Sequence, residues 1–315
     1  MSTPVFPSAD AAAHKVRGSP VTAPAWHEEV LLFGDRNSQR GVWCRPTAPA
    51  PVVHEAAVIF INAGLVHHVG PNRLHVQLAR ALAAVGVPSL RMDLSGIGDS
   101  SVRADNLPIF ELVRREPVEA MDALAALGCR RYALVGLCSG AYSAFHVACA
   151  DERVDSAVLI NPEDLQHGGT PGAQSWARRY WTRSIFRKQA WLNLISGRTN
   201  YSRLLSTLKR QFIGGQREAR PAGPHPLRAE MAAALHTRPL QLLFLSSADD
   251  VSTQYLDALL GGPMLDGLPH GAITHKVMPQ CEHLFTRLQD QRRLLERLVP
   301  WLQARMQAST SAQNQ

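Results

Sequence analysis

The sequence of 315 residues contains no run of about 18 apolar residues, the length that a membrane-spanning helix needs. We therefore expect no membrane span. Residues 1–25 are rich in Ala, Pro and Ser but lack the apolar stretch of a secretory signal. We interpret them as a disordered leader, and residues 308–315 as a disordered tail.

Cysteine is scarce and is not arranged in pairs. There are five cysteines, an odd number, and no two of them have the spacing of metal ligands. Four are expected to be small buried residues, and this usage favours the reducing cytoplasm as the location. We predict neither a bound metal ion nor a cofactor.

The net charge of +7 comes from one segment of the chain. Residues 163–236 contain twelve Lys or Arg against four Asp or Glu, a net charge of +8, so the remaining residues sum to −1. This segment combines clustered Trp and Arg with a Gly/Pro-rich stretch, and it breaks the alternation that the rest of the chain shows. We interpret it as an insertion.

Outside this insertion, stretches typical of β-strands alternate with stretches typical of α-helices. The pattern predicts an α/β fold, with a mostly parallel sheet covered by helices and formed by residues 26–162 and 237–307. One helix is expected to kink or restart at Pro117, and the last helix to run from Leu284 to about Met306. The predicted strands are HEEVLLF and RGVWCRP (a hairpin), AAVIFIN, VPSLRMD, RYALVGL, VDSAVLINP, LQLLFLS and AITHKVM.

The stretch GLCSGAY has the spacing of a strand–nucleophile–helix turn. In such a turn, small residues must stand two places before and two places after the nucleophile. Gly136 and Gly140 meet this requirement around Cys138, whereas a turn centred on Ser139 would be flanked by the bulky Leu137. We therefore assign Cys138 as the nucleophile. The alternative, a buried cysteine in a glycine-rich turn, is disfavoured by the strand before it and the helix after it.

Acyl transfer needs a base for the nucleophile and an acid that orients the base. On this topology the acid follows the strand after the insertion, and the histidine follows the last strand. The stretch LFLSSADD ends with Asp249 and Asp250, and MPQCEHLF places His283 after the last strand. We prefer Asp250, which lies further beyond the strand end, and Asp249 stays open as the alternative.

The oxyanion that forms during acyl transfer needs two N–H donors. One is the backbone N–H of Ser139. The second is expected from the loop NAGLVHHVGPNR, where Leu65 is the best candidate. The adjacent His67 and His68 could suggest a metal site, but their side chains are expected to diverge and no third ligand is spaced to join them. We interpret them as polar loop residues.

These motifs resemble the α/β-hydrolase superfamily over roughly residues 28–302. The matching stretches are NAGL, DLSGIGDS, the turn GLCSGA, and the positions of Asp250 and His283. The resemblance implies an eight-stranded, mostly parallel sheet, a mainly helical cap formed by the insertion, and a catalytic triad in this order. DLSGIGDS lacks the third glycine of a phosphate-binding loop, so Asp93 and Gly98 are interpreted as turn-forming residues.

More narrowly, the chain is similar to bacterial hydrolases found with exopolysaccharide (exosortase) export or with secondary-metabolite clusters. These proteins share NAGLVH…VGPNR and GLC-x-G. The departure from the usual pattern is the nucleophile, which is cysteine in a minority that includes dienelactone hydrolases and polyhydroxyalkanoate synthases. The resemblance therefore implies the cysteine-nucleophile subgroup and disfavours a serine-protease or lipase activity.

A cysteine nucleophile favours particular substrates. A thiolate at a helix N-terminus beside an imidazolium is stabilised, and Cys138 meets both conditions. Its acyl-enzyme would be a thioester, which forms from a thioester donor with little change in free energy but unfavourably from an oxoester. We expect a small-molecule acyl (thio)ester, naturally carrier-bound. Water, an alcohol and an amine stay open as acceptors, and so do a thioesterase/esterase-type hydrolase and an acyltransferase.

The insertion offers a further hint about the donor. Arg179, Arg183 and Arg187 share one face of a predicted helix whose opposite face is apolar. The simpler interpretation is a solvated face of a cap helix. The other is a docking surface for an acyl carrier protein or the phosphates of coenzyme A, whereas nucleic acid is not expected. A non-catalytic protein that binds a small ligand in the same pocket is the alternative function.

Overall fold

Eight strands form one sheet in the residues that the computed structural model describes, which are 24–47, 55–105, 107–162, 165, 226–248, 250–260 and 268–308. The strands are β1 (Trp26–Phe33), β2 (Gln39–Pro46), β3 (Ala56–Ile61), β4 (Ser89–Met92), β5 (Arg131–Leu137), β6 (Val154–Ile160), β7 (Gln241–Ser247) and β8 (Ile273–Met278). Their order across the sheet is β1-β2-β4-β3-β5-β6-β7-β8. Strand β2 is antiparallel to both of its neighbours, and all other pairs are parallel. The predicted α/β fold is confirmed.

The central strands are buried on both faces, as the apolar run in β3 predicted. Every residue of β3 is buried, and successive side chains alternate between the two core clusters, with Ile59 in one and Phe60 in the other. The parallel strands all end at the same edge of the sheet. The loops that follow β3, β5, β6, β7 and β8 therefore meet there.

Helices cover both faces of the sheet. On one face lie α1 (Leu74–Ala84) and α6 (Leu288–Ala308), and on the other lie α2 (Ile109–Ala126), α3 (Ser139–Ala150), α4 (Pro226–Thr237) and α5 (Val251–Leu260). In α6 the residues Leu294, Leu298, Leu302 and Met306 recur every fourth position, and all four are buried. Among the helices that the structure describes, none is both long enough and apolar enough to cross a membrane.

Two helices refine the sequence expectation. Helix α2 is a single element that contains Pro117, so of the two alternatives, a kink or a restart, the restart is excluded. Helix α6 begins at Leu288, four residues after the predicted Leu284. The reason is Phe285, whose positive φ of 51° is incompatible with a right-handed helix.

Several expectations fall on residues outside the described ranges. They include nearly all of the leader, nearly all of the tail and most of the predicted insertion. The three arginines Arg179, Arg183 and Arg187 are among them. The described end of the predicted insertion is α4, whose Leu227, Met231 and Leu235 are buried in the core cluster beside α3. The insertion therefore returns to the sheet through a helix that is packed on it.

Candidate active site

Cys138 stands at a sharp turn between β5 and α3. Its backbone has φ 57° and ψ −119°, a strained conformation for a residue with a side chain. The turn is held by two hydrogen bonds: the N–H of Cys138 donates to the carbonyl of Ile160 over 2.9 Å, and that of Ala141 donates to the carbonyl of Cys138 over 3.1 Å. The side chain is partly exposed at the edge where the parallel strands end.

The two glycines around Cys138 are required by close backbone contacts. A Cβ at Gly136 would clash with the carbonyl group of Gly140, and a Cβ at Gly140 would lie 2.5 Å from the carbonyl oxygen of Asn62. Real Cβ atoms do not approach backbone atoms so closely. The start of α3 thus passes directly over β5 and against the end of β3, which is the packing that the GLCSGA spacing requires.

His283 and Asp250 meet beside this turn, although they come from different loops. The Nδ1–H of His283 donates to Oδ2 of Asp250 over 2.8 Å, and the side chains are 21% and 4% exposed. The other carboxylate oxygen of Asp250 accepts a hydrogen bond from the backbone N–H of Ser252 over 2.9 Å. Asp249 lies outside the described residues, so the preference for Asp250 rests on this contact.

The pKa values of this pair are shifted in opposite directions. Burial lowers the pKa of His283, but hydrogen bonds to Asp250 and Cys138 and the attraction of these two groups outweigh it and raise that pKa to about 10. Burial raises the pKa of Asp250, but the hydrogen bonds from His283 and Ser252 lower it overall to about 2. Asp250 and Cys138 therefore both favour the protonated form of His283.

The other four cysteines lie in surroundings that favour the neutral thiol. Burial raises the pKa of Cys44 to about 12, of Cys129 to about 11 and of Cys149 to about 12, and it also raises that of Cys281. All five cysteines are free. Cys138 differs from the others because it has a histidine partner at the edge of the sheet.

The loop after β3 lies next to the turn. The N–H of Val66 donates to the carbonyl of Ala63 over 3.1 Å, and Gly64 within this turn has φ 58°. The N–H of Gly64 donates to Oγ of Ser139 over 2.7 Å, so this N–H is occupied. The side chain of Leu65 is 89% exposed. The role of the Leu65 N–H as an oxyanion donor stays a prediction.

A buried carboxylate fixes this loop. Asp93 accepts hydrogen bonds from the backbone N–H groups of His68 and Asp99 and from the side chains of Asn62 and His68. Burial raises the pKa of Asp93, but these bonds lower it overall. Asp93 thus forms a turn, as expected, and also ties that turn to the loop after β3.

The expectation that the side chains of His67 and His68 diverge is wrong. Their ring centroids are 4.7 Å apart, and one ligand-type atom from each of His67, His68 and Asp93 lies within 4.8 Å of the others. The alternating directions of a strand do not apply, because the loop folds back on itself. The expectation that no third ligand joins them is also wrong, because Asp93 does. The hydrogen bonds between His68 and Asp93 anchor the loop.

Sequence reasoning missed Asn161, the residue that follows β6. It is fully buried, and its side chain contacts the loops that carry Asp250 and His283. One available signal was its place at the carboxyl end of a parallel strand, where functional side chains collect. A second was its pairing with Pro162 at the abrupt end of an apolar run.

Fold and site together define an α/β hydrolase architecture. A profile of the alpha/beta hydrolase family matches residues 58–297. The chain belongs to this family. Comparison with curated protein sequences gives no match.

Solved structures share the fold at low sequence identity. A proline iminopeptidase from Mycobacterium smegmatis is 15% identical, with a TM-score of 0.55 and coverage of 90% of this chain and 100% of that chain. Naproxen esterase from Bacillus subtilis is 14% identical, with a TM-score of 0.55 and coverage of 88% and 92%. An alpha-beta serine hydrolase homologue from Coxiella burnetii is 15% identical, with a TM-score of 0.51 and coverage of 87% and 97%.

Proposed function

We propose that this protein is an acyl-transfer enzyme that works through a thioester on Cys138, as a thioesterase/esterase-type hydrolase or as an acyltransferase. The observation that carries the proposal is the position of His283, which hydrogen-bonds Asp250 and has its pKa raised by both Asp250 and Cys138. A nucleophile, a base and an orienting acid in contact are the minimum set for covalent acyl transfer. The chain would then belong to the cysteine-nucleophile members of its family.

The first half-reaction would form the acyl-enzyme. The thiolate of Cys138 attacks the acyl carbon, and the carbonyl oxygen becomes an oxyanion that accepts hydrogen bonds from the backbone N–H groups of Ser139 and Leu65. The intermediate collapses, the bond from carbon to the leaving group breaks, and the leaving group takes a proton from the imidazolium of His283. His283 is then neutral, and its hydrogen bond to Asp250 keeps the Nε2 side of the imidazole directed towards the site.

The second half-reaction would release the acyl group. Neutral His283 takes a proton from the acceptor, which is water, an alcohol or an amine, while the acceptor attacks the thioester carbon. The carbon–sulfur bond then breaks and returns the thiolate beside the imidazolium. No net charge or proton is left over, so the cycle needs no further co-reactant.

A thioester donor suits this cycle. Exchange of one thioester for another is nearly balanced in free energy, whereas formation of a thioester from an oxoester is uphill. We propose a donor held on an acyl carrier protein or coenzyme A and recognised by Arg179, Arg183 and Arg187 of a cap in residues 163–236. Replacement of all three arginines by glutamine should then slow transfer from the carrier-bound donor but leave a short acyl thioester unaffected. An unchanged rate of transfer from the carrier-bound donor in this variant would remove the docking surface.

The narrower relationship follows from motifs and chemistry together. The stretches NAGLVH…VGPNR and GLC-x-G support a place among bacterial hydrolases that accompany exopolysaccharide (exosortase) export or secondary-metabolite clusters. The same reasoning supports a cytoplasmic location, because a free thiol nucleophile needs a reducing compartment.

The direct test is the mass of the intact protein after incubation with a set of acyl thioesters, with release of free acid followed in parallel. Wild type, Cys138→Ala and His283→Ala are compared. An acyl adduct that is absent in Cys138→Ala establishes the acyl-enzyme. An adduct that persists without free acid identifies a transferase, and one that turns over identifies a hydrolase. No adduct and no free acid with any thioester donor would overturn the thioester donor in favour of an oxoester substrate or of ligand binding.

A further inference from the structure

Asn161 occupies a central position at the edge of the sheet where the candidate site lies. It follows β6, which is placed between the strand that leads to Cys138 and the strand that leads to Asp250. It is fully buried, and its φ of 44° is left-handed. Asn is one of the few residues that tolerate this conformation. Its own N–H donates to the carbonyl of Leu245 in β7 over 2.8 Å.

The side chain of Asn161 joins the two loops that carry the base and the acid. Its Nδ2 donates to the carbonyl oxygen of His283 over 2.8 Å and to Oγ of Ser247 over 3.1 Å. Its Oδ1 accepts from the N–H of Ser247 over 2.7 Å and from the hydroxyl of Ser252 over 3.4 Å. Ser252 in turn donates its backbone N–H to Asp250.

We propose that Asn161 is the positioning residue of this site, because its single amide fixes the backbone of His283 and the turn that carries Asp250 relative to each other. The proposal rests on the proposed function. Asn161 does not touch the reacting atoms, and it acts through the two residues that do. Without it, the loops after β7 and β8 would lose the buried side chain that bonds to both.

An amide suits this task better than any other small side chain. Two N–H donors and a carbonyl oxygen with two lone pairs match the two acceptors and two donors around it. An aspartate has the same shape and keeps the acceptor, but it cannot donate to the carbonyl oxygen of His283. Glycine keeps the left-handed backbone and removes the amide altogether. These two replacements therefore separate the amide from the backbone conformation.

The experiment compares wild type, Asn161→Gly and Asn161→Asp, with Asn37→Gly as the matched control. Asn37 has a similar φ of 56° but is exposed in the turn between β1 and β2. The rate of acylation and its dependence on donor concentration are measured by intact mass. We expect kcat for acylation to fall about 100-fold in both Asn161 variants with KM nearly unchanged, which is the effect of a misplaced catalytic group. Asn37→Gly should match wild type.

A readout without substrate separates the two proposals. The rate at which iodoacetamide alkylates Cys138 is measured against pH, because it follows the pairing of the thiol with His283. In Asn161→Gly we expect slower alkylation across the profile, since His283 is no longer held beside the thiol. Wild-type acylation together with a wild-type profile in either variant would overturn the positioning role. Absence of any acyl adduct in wild type would instead overturn the proposed function.

Discussion

The backbone N–H of Gly64 donates a hydrogen bond to Oγ of Ser139, a residue 75 positions away in the chain, over 2.7 Å. This bond joins the loop after β3 to the first turn of α3. It also fixes the two proposed oxyanion donors relative to each other, because one belongs to Ser139 and the other to Leu65, the neighbour of Gly64. The hydroxyl beside the candidate nucleophile therefore has a structural task of its own.

Replacement of Ser139 by Ala should slow acylation of Cys138 about tenfold, because it removes the one hydrogen bond that holds the two proposed oxyanion donors relative to each other. The thiol itself should keep its reactivity towards iodoacetamide, because its contact with His283 is unchanged. Stopped-flow acylation and alkylation of the same samples check both statements. Ser143→Ala is the matched control, since that hydroxyl lies one turn later in α3 and bonds to Val113 in α2. Equal loss in both variants would contradict the prediction.

Gly136 should tolerate no side chain. We expect Gly136→Ala to lower the free energy of unfolding by about 4 kcal/mol or more, because the added Cβ meets the backbone of Gly140 and neither segment can move. Gly128→Ala is the control: its Cβ meets no atom within 4 Å, so it carries only the cost of a φ of 99°, about 1–2 kcal/mol. Urea unfolding measures both. A similar loss of stability in Gly136→Ala and Gly128→Ala would mean that close contact with Gly140 is not the reason why position 136 is a glycine.

The pair of His283 and Asp250 should make stability depend on pH. The pKa of His283 rises from 6.5 to about 10, so its contribution is complete below pH 6.5 and is lost as the pH rises through 10. The pKa of Asp250 falls from 3.8 to about 2, so its contribution is complete above pH 3.8 and is lost as the pH falls through 2. Asp250→Asn should therefore cost most between pH 4 and 6.5, by about 3 kcal/mol.

Urea unfolding of wild type and Asp250→Asn across this pH range checks the sign. Glu29→Gln serves as the control, because its ion pair with Arg45 is exposed and should contribute less than about 1 kcal/mol. A difference between wild type and Asp250→Asn that is the same at pH 5 and pH 10 would show that the two side chains do not form a charged pair.

Alkylation should be selective for Cys138 near pH 7. The other cysteines stay neutral at this pH because burial raises their pKa values, and the thiolate is the reactive form. We expect one equivalent of label, located at Cys138 by peptide mapping, and a rate at least about tenfold lower in His283→Ala. His275→Ala is the control, since that ring lies within β8 and bonds to Ser246 instead of facing Cys138. A label spread over several cysteines would contradict the prediction.

The sequence was sufficient for the fold because its signals are local. An apolar run such as AAVIFIN predicts a buried strand from its own residues. The spacing of Leu294, Leu298 and Leu302 likewise predicts a helix with one buried face. The sequence predicts the start of α6 four residues too early, because Leu284 continues the apolar pattern. The left-handed backbone of Phe285, which delays the helix, is set by the packing of the loop and leaves no trace in that pattern.

Those residues of the candidate site that chemistry and chain order determine could be predicted from the sequence. The contacts that depend on how a loop folds could not. Cys138 and His283 follow from spacing and order. The contacts of Asn161 depend on three strands ending at the same height, and this is a property of the assembled sheet. The convergence of His67 with His68 depends on a loop that folds back towards Asp93, and sequence adjacency indicated the opposite.

The segment between β6 and α4 leaves the sheet beside one strand and returns beside the next, since β6 and β7 are neighbours. Asn161 and Leu165 bond to the core, but the length of the segment that follows them can change without altering the pairing of β6 with β7. Evolution, or a protein engineer, can exchange this segment as a module. Under the proposed function, such an exchange would change the choice of acyl group or carrier and leave Cys138, His283 and Asp250 in place.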